Sequence, residues 1–170
     1  MTEIEIREKI VDLFNKKRES PNTNFNESHF LDFLKSPSYN KHTIKNSFKG
    51  ARQYYRFMDA VELEFGICFR LSDLDQYYSV DSLTKKVLQR IKKGRGNLMI
   101  LKQRNEDKEK YWIEIVLITI LVLTYFWLKI HWFPILLTTL FGIAIWWMLS
   151  NKAHNKQHNK QLTLKILKEK

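Results

Sequence analysis

The sequence predicts an all-α protein in which a small helical bundle is followed by a two-helix transmembrane hairpin. Two long runs near the C-terminus, residues 115–128 and 132–150, contain no charged side chain. In front of them, residues 1–93 carry apolar side chains at steps of three and four, the spacing of one helix face. Positive charge is concentrated on both outer sides of the apolar runs. Together these observations favour a helical domain attached to a membrane anchor.

The hairpin prediction depends on the length of the two apolar runs. They extend from Trp112 to Leu128 and from Phe133 to Leu149, and each is 17 residues long. That is about 25 Å of helix at roughly 1.5 Å per residue. The hydrocarbon core of a bilayer is roughly 30 Å thick, but flanking lysines can extend outward to the headgroups. A buried hairpin in a soluble bundle would need a polar stripe on each helix, and neither run has one.

The charge distribution predicts which side of the membrane each end faces. Residues 84–110 hold 10 basic and 3 acidic side chains, a balance of +7, and residues 150–170 hold 6 and 1, a balance of +5. Because basic flanks remain on the cytoplasmic side, we expect both termini in the cytoplasm. Only residues 129–132 should reach the far side.

The same charge count bears on partners and location. The net charge of +11 suggests nucleic acid at first, but residues 1–83 hold 12 basic and 13 acidic side chains. We therefore expect no nucleic-acid partner, and the basic flanks instead fit anionic headgroups of the lipid bilayer. We expect an integral membrane protein of the bacterial inner membrane.

Catalytic and cofactor signatures are missing from the sequence. It contains no glycine-rich phosphate loop and no HExxH, CxxC or GxSxG motif, so we predict no enzyme activity and no cofactor. His154 and His158 have metal-ligand spacing but no third ligand nearby, and we predict no metal site. The single cysteine, Cys68, fits a reducing compartment. Glu114 is expected to pair with Lys110 near the membrane interface.

Four helical segments are predicted in the front domain. They are an amphipathic helix at 2–17, one or two turns at 28–36, a long helix at 40–65 and a last helix at 80–93. Their apolar faces are expected to meet in one core. The predicted core residues are Ile10, Phe14, Met58, Val61, Phe65, Val80, Leu83 and Val87.

Two parallel stripes run along the long predicted helix. The apolar stripe is expected to face the core and consists of Ile44, Phe48, Ala51, Tyr55, Met58, Val61 and Phe65. The basic stripe beside it consists of Lys41, Lys45, Lys49, Arg52 and Arg56. A basic stripe is either a solvated face or a docking surface for an acidic protein partner. We predict it as the partner-binding surface.

Residues 58–91 resemble the second half of an acyl carrier protein. Leu63-Glu64-Phe65 matches the end of that family's second helix, and Ser79-Val80-Asp81 matches the start of its last helix. The fifteen-residue separation of Phe65 and Val80 is also the family's. The resemblance implies an acyl-carrier-like helical bundle.

The resemblance also implies a site for phosphopantetheine, but the residue there departs from the family. Carriers hold this group on a serine at the start of the second helix, fourteen residues before the phenylalanine. Ala51 occupies that position here and has no hydroxyl group. Ser47, one helical turn earlier, could replace it only if the register shifted.

The predicted organisation has four parts. Residues 1–93 form the cytoplasmic acyl-carrier-like domain, and residues 94–110 form a basic connector that starts where two glycines break the last helix. Residues 111–149 form the transmembrane hairpin. Residues 150–170 form a basic cytoplasmic tail.

Three functions are compatible with this organisation. The first is a membrane-anchored, non-enzymatic docking module of carrier-like fold. The second is a working acyl carrier that is modified at Ser47 and acts near the bilayer. The third is a small membrane-active protein, holin-like or toxin/immunity-like, in which the hairpin oligomerises. The sequence favours the first, because Ala51 removes the carrier hydroxyl and the basic stripe is the one distinctive surface.

Overall fold

A computed structural model of the chain describes residues 1–21, 23–35, 47–76, 78–107, 111–128 and 132–168. The regular secondary structure in these ranges is entirely helical, as the sequence predicts. A 3₁₀ segment, Glu27–Leu34, follows the first of seven α-helices. The helices are α1 (Glu3–Lys17), α2 (Phe48–Phe65), α3 (Leu71–Leu74), α4 (Val80–Lys92), α5 (Gly94–Asp107), α6 (Trp112–Leu128) and α7 (Trp132–Lys168).

The chain forms two compact units. The first contains residues 1–101 together with residues 161–170, and the second contains residues 102–160. The first unit is a helical bundle in which α1 contacts α2 and α4, and the 3₁₀ segment contacts α2 and α4.

Helix α1 begins at a capping box. The main-chain nitrogen of Glu5 donates to the Thr2 hydroxyl at 3.3 Å, and the main-chain nitrogen of Thr2 donates to the Glu5 carboxylate at 3.0 Å. These bonds satisfy two donors that the first helical turn leaves without partners.

The core of the bundle is aromatic at its centre. The rings of Phe14, Phe30 and Phe57 meet edge to face, with centroids 5.1–6.3 Å apart. This geometry suits the quadrupoles of aromatic rings. All eight residues predicted to form the core are buried, which confirms that part of the sequence analysis.

One helix boundary differs from the sequence prediction and another agrees with it. Ser47 has extended backbone, with φ −126° and ψ 144°, so a continuous helix from residue 40 to residue 65 does not form. Residues 36–46 lie outside the described part of the chain. The last predicted helix, at 80–93, does end where expected, because α4 ends at Lys92. Helix α5 then begins directly at Gly94, so the stretch predicted as a connector is helical from its first residue.

The second unit contains α6 and most of α7, and α6 and residues 132–150 of α7 are largely apolar in sequence. Helix α6 is 17 residues long. Among the described residues, one helix is long and apolar enough to cross a membrane, and it covers Ile135–Lys168.

Candidate docking surface

Helix α2 begins at Ser47, whose side chain caps it. The main-chain nitrogen of Gly50 donates to Ser47 Oγ at 3.1 Å, and the nitrogen of Ala51 donates to the Ser47 carbonyl oxygen at 2.8 Å. Serine is a favoured capping residue because its oxygen accepts from the first helical turn. The Ser47 side chain is exposed, whereas Ala51 is half-buried.

The inner face of α2 fixes the helix against the bundle. The Tyr54 hydroxyl lies within hydrogen-bond distance of the carbonyl oxygens of Leu74, at 3.0 Å, and Gln76, at 3.2 Å. Gln53 Nε2 donates to the carbonyl oxygens of Lys17, at 2.9 Å, and Leu34, at 3.2 Å. These bonds join α2 to the ends of α1 and of the 3₁₀ segment. The large apolar side chains buried on this face are Tyr54, Phe57, Met58, Val61 and Phe65.

The opposite face of α2 combines basic and aromatic side chains. Lys49, Arg52 and Arg56 are exposed, and none of them forms an ion pair with another residue in the described part of the chain. Phe48 is 91 % exposed and Tyr55 is 45 % exposed. At about 100° of rotation per residue, all five lie within roughly one third of the helix circumference. These five residues are called the α2 outer face.

The outer face includes part of the predicted basic stripe and two residues that the sequence analysis misplaced. Lys41 and Lys45 lie outside the described residues. Phe48 and Tyr55 were expected in the core, and the structure shows that this was wrong. Met58, Val61 and Phe65 of the predicted stripe do face the core, and Tyr54 and Phe57 complete the inward face in place of Phe48 and Tyr55. The i, i+3, i+4 pattern of Tyr54, Phe57 and Met58 was the signal that could have revealed this register.

A buried ion cluster holds the short helix α3 against α4. Asp73 pairs with Arg90 and with Lys86, whose Nζ is 2.8 Å from Asp73 Oδ1. The main-chain nitrogen of Arg70 donates to Asp73 Oδ2 at 3.0 Å. Burial alone would raise the pKa of Asp73, but these hydrogen bonds hold it below its usual value. Burial and the charge of Asp73 raise the pKa of Tyr78 to about 12.

The loop between α2 and α3 is held by buried polar side chains. It starts at Gly66, whose positive φ of 59° suits glycine and ends α2. The main-chain nitrogen of Phe69 donates to the Glu62 carboxylate at 2.6 Å, and that of Cys68 donates to Asn97 Oδ1 at 3.3 Å. Asn97 also donates to the carbonyl oxygen of Arg90 at 3.1 Å. The loop therefore pairs two of its backbone donors although it is buried.

The end of α7 packs in the first unit. Leu162 is fully buried and Ile166 is 6 % exposed, and together with Cys68, Ile100 and Leu101 they form a second small core. The sequence analysis assigned residues 150–170 to a basic tail and did not predict this packing. Leu162 and Ile166 are four residues apart, which places them on one face of the helix.

Glu114 pairs with Lys152 within the second unit. Lys110, its expected partner, lies outside the described residues. The Lys152 ammonium also lies 4.3 Å from the centroid of the Tyr111 ring, close enough for a cation–π contact. The first turn of α6 and residue 152 of α7 therefore contact each other.

Comparison with known proteins yields no relatives. No protein-family model matches the chain, and neither a curated protein nor a solved structure matches it significantly.

Proposed function

We propose that the chain is a membrane-anchored docking protein. Its helical domain presents the α2 outer face to an acidic protein partner, and α6 with the apolar part of α7 crosses the bilayer twice. Both termini lie in the cytoplasm. The protein acts by binding rather than by catalysis.

The exposed side chains of α6 and α7 support membrane insertion. Trp112 and Val122 in α6 are 72 % and 63 % exposed, and Ile143 and Trp146 in α7 are 61 % and 71 % exposed. Large contiguous apolar surfaces of this kind are unfavourable in water. A surrounding of lipid tails removes that cost, because both helices satisfy their backbone groups internally.

The two chain segments that make up the first unit support two crossings of the membrane rather than one. A compact unit lies on a single side of a bilayer, and this one contains both residues 1–101 and residues 161–170. The chain between them must then cross an even number of times. A single crossing by α7 is incompatible with this requirement, whereas a pair formed by α6 and α7 satisfies it.

The observation that carries the docking proposal is the composition of the α2 outer face. Its three cations have no ion-pair partner among the described residues, and an almost fully exposed aromatic ring, Phe48, lies beside them. Arginine and aromatic residues are enriched where proteins bind one another. Complementary charge on a partner would guide encounter and orientation.

Charge reversal on the outer face tests this proposal. Tagged full-length chain is extracted from native membranes in mild detergent, and co-purifying proteins are quantified by mass spectrometry. We expect the triple variant Lys49→Glu, Arg52→Glu, Arg56→Glu to recover an acidic partner at roughly one tenth of the original level or less, a loss of about 1.4 kcal/mol in binding. Raised salt should release the partner from the unmodified chain.

A second triple reversal provides the control. Lys85, Lys92 and Lys93 are exposed on or next to α4, so reversing them changes the net charge by the same amount. This variant should retain the partner. If both triple variants recover it equally, or if the unmodified chain recovers no acidic protein, the outer face is only a solvated surface.

A second candidate function is an acyl carrier modified at Ser47. The specific observation in its favour is that Ser47 is exposed at the start of α2. Acyl carrier proteins, which residues 58–91 resemble, hold their serine at this part of the helix. Ala51 lies inside the first turn instead. Co-expression with a phosphopantetheinyl transferase tests this function. A mass increase matching phosphopantetheine, lost in Ser47→Ala, would establish it, and an unchanged intact mass would eliminate it.

A further inference from the structure

Arg18, which follows α1, is a buried cation without an acidic partner in the described part of the chain. The residue is 7 % exposed, and its guanidinium carbon lies 5.2 Å from the ring centroids of both Phe14 and Phe25. Nη2 donates a hydrogen bond to the carbonyl oxygen of Pro21. Nε and Nη1 are covered by protein and have no hydrogen-bond partner among the described residues.

A cavity that is open to solvent, of about 420 Å³, lies beside this side chain. Asn15, Thr23 and Glu27 are among the residues that line it. Asn15 Oδ1 is likewise buried without a hydrogen-bond partner in the described part of the molecule. Arg18 and Asn15 therefore line the same pocket, and each holds buried side-chain atoms whose hydrogen-bonding capacity is unused by the described residues.

No carboxylate in the described ranges forms an ion pair with Arg18. Glu27, the carboxylate that lines the cavity, is paired with Arg7 at 2.6 Å. Burial lowers the pKa of the Arg18 guanidinium, yet arginine stays charged in proteins at neutral pH. Stacking on two aromatic rings offsets only part of the cost of burying an unpaired charge.

We propose that this cavity binds a small ligand through an oxyanion group, a phosphate or a carboxylate, that pairs with Arg18. A hydrogen-bond donor on the ligand would reach Asn15. Pro21 lines the same cavity, so the anion can replace the neutral Pro21 carbonyl as the acceptor for Nη2, and a charge-assisted bond is the stronger one. The volume suits a small organic molecule. This site is separate from the α2 outer face and does not depend on the docking proposal.

Nuclear magnetic resonance of the arginine side chains tests the site directly. Full-length chain labelled with ¹⁵N-arginine is titrated in detergent micelles with inorganic phosphate, and separately with acetate, at constant ionic strength set with chloride. We expect the Nε–H signal of Arg18 to shift in a saturable way, with half-saturation at about 1 mM or below. Phosphate is the preferred group if the phosphate titration saturates at the lower concentration, and carboxylate is preferred if the acetate titration does. Arg70, which is exposed, should show no saturable shift.

Two variants separate binding from a purely structural role. Hydrogen exchange provides a measurement that survives replacement of Arg18: phosphate or acetate should protect the main-chain amides of residues 15–20 and 23–25 in the unmodified chain. Arg18→Gln should abolish this protection, and Arg18→Lys should keep a weaker form of it because lysine retains the charge. The proposal is overturned if the Arg18 signal responds no differently from that of Arg70, or if chloride alone produces the same saturation.

Discussion

Lys165 Nζ donates a hydrogen bond to the main-chain carbonyl oxygen of Glu64 at 2.8 Å. This bond connects the last helix of the chain to the final turn of α2, where carbonyl groups lack helical partners and a cation is favourable. Leu162, one turn before Lys165, and Ile166, the residue after it, pack in the same unit. The end of α7, from Gln161 onward, is therefore part of the first unit.

The packing of Leu162 predicts the reactivity of Cys68. Cys68 is the only cysteine in the chain and is fully buried beside Leu162. Leu162→Asp places a charge in this small core and should detach the end of α7. We expect the alkylation rate of Cys68 by a maleimide to rise at least about tenfold, because opening of the packed segment costs less free energy.

Leu164 provides a matched control for that experiment. It lies on the same helix but is 60 % exposed, so Leu164→Asp should leave the alkylation rate unchanged. Equal rates in the Leu162 and Leu164 variants would show that the end of α7 does not cover Cys68.

Loss of the Asp73 carboxylate should destabilise the domain strongly. Asp73→Asn leaves the Arg90 charge buried without its counter-ion, which typically costs about 3–5 kcal/mol. Denaturant-dependent hydrogen exchange of α4 amides in full-length chain measures the change. Asp81→Asn is the control, because the Asp81 side chain is 71 % exposed in its ion pair with Arg7 and such pairs contribute at most about 1 kcal/mol. Similar losses in the two variants would contradict the cluster's importance.

The same cluster predicts a dependence on acidic pH. The pKa of Asp73 is lower in the folded state than its ordinary value of 3.8. Its contribution to stability is therefore complete above that value and is lost as the pH falls through the folded-state pKa. Stability of the unmodified chain should decline more steeply below pH 3.8 than that of Asp73→Asn. If the stability of the unmodified chain and that of Asp73→Asn declined in parallel with pH, Asp73 would not be the cause of the decline.

Tyr78 predicts a second dependence, at alkaline pH. Its pKa rises from 10.0 in the unfolded chain to about 12 in the folded state, so folding favours the neutral phenol. This stabilisation is complete below pH 10 and is lost as the pH rises towards 12, by about 2–3 kcal/mol at about 1.4 kcal/mol per pKa unit. Tyr78→Phe should lack this decline. A variant that loses stability as steeply as the unmodified chain would exclude Tyr78 as the cause.

The aliphatic part of the core gives a simpler prediction. Leu83 is fully buried in the main core, whereas Leu71 is 71 % exposed. Leu83→Ala should cost about 2–5 kcal/mol through lost burial and a residual cavity. Leu71→Ala should change the free energy of unfolding by no more than about 0.5 kcal/mol. Comparable values for both variants would contradict the described core.

The sequence predicted the core well where periodicity is regular and local. Val80, Leu83 and Val87 follow helical spacing within one helix, and all three are buried. The start of α2 was harder, because the apolar residues near Phe48 fit two registers that differ by one position. Contacts from α1 and the 3₁₀ segment decide which register faces the core. The spacing of apolar residues within one helix carries no information about those contacts.

Long-range contacts could not be predicted from local pattern. Leu162 packs near Cys68, which is more than ninety residues away in the sequence, and charged neighbours made its segment resemble a solvated tail. The pairing of Asp73 with Arg90 also joins separate helices. Arg18 looked like an ordinary basic residue, because only the fold shows that it is buried without an acidic partner among the described residues.

The central claim is that one helical domain holds both ends of a membrane hairpin, and labelling from each side of the membrane tests it most directly. In a Cys68→Ser background, single cysteines replace Glu8, Ile130 or Lys170, and an impermeant maleimide is added to intact spheroplasts. We predict that only the cysteine at position 130 reacts before the membrane is permeabilised, and that those at positions 8 and 170 react only afterwards. The account would be contradicted if the cysteines at positions 8 and 170 reacted from opposite sides of the membrane. It would also be contradicted if the cysteine at position 130, like those at 8 and 170, reacted only after permeabilisation.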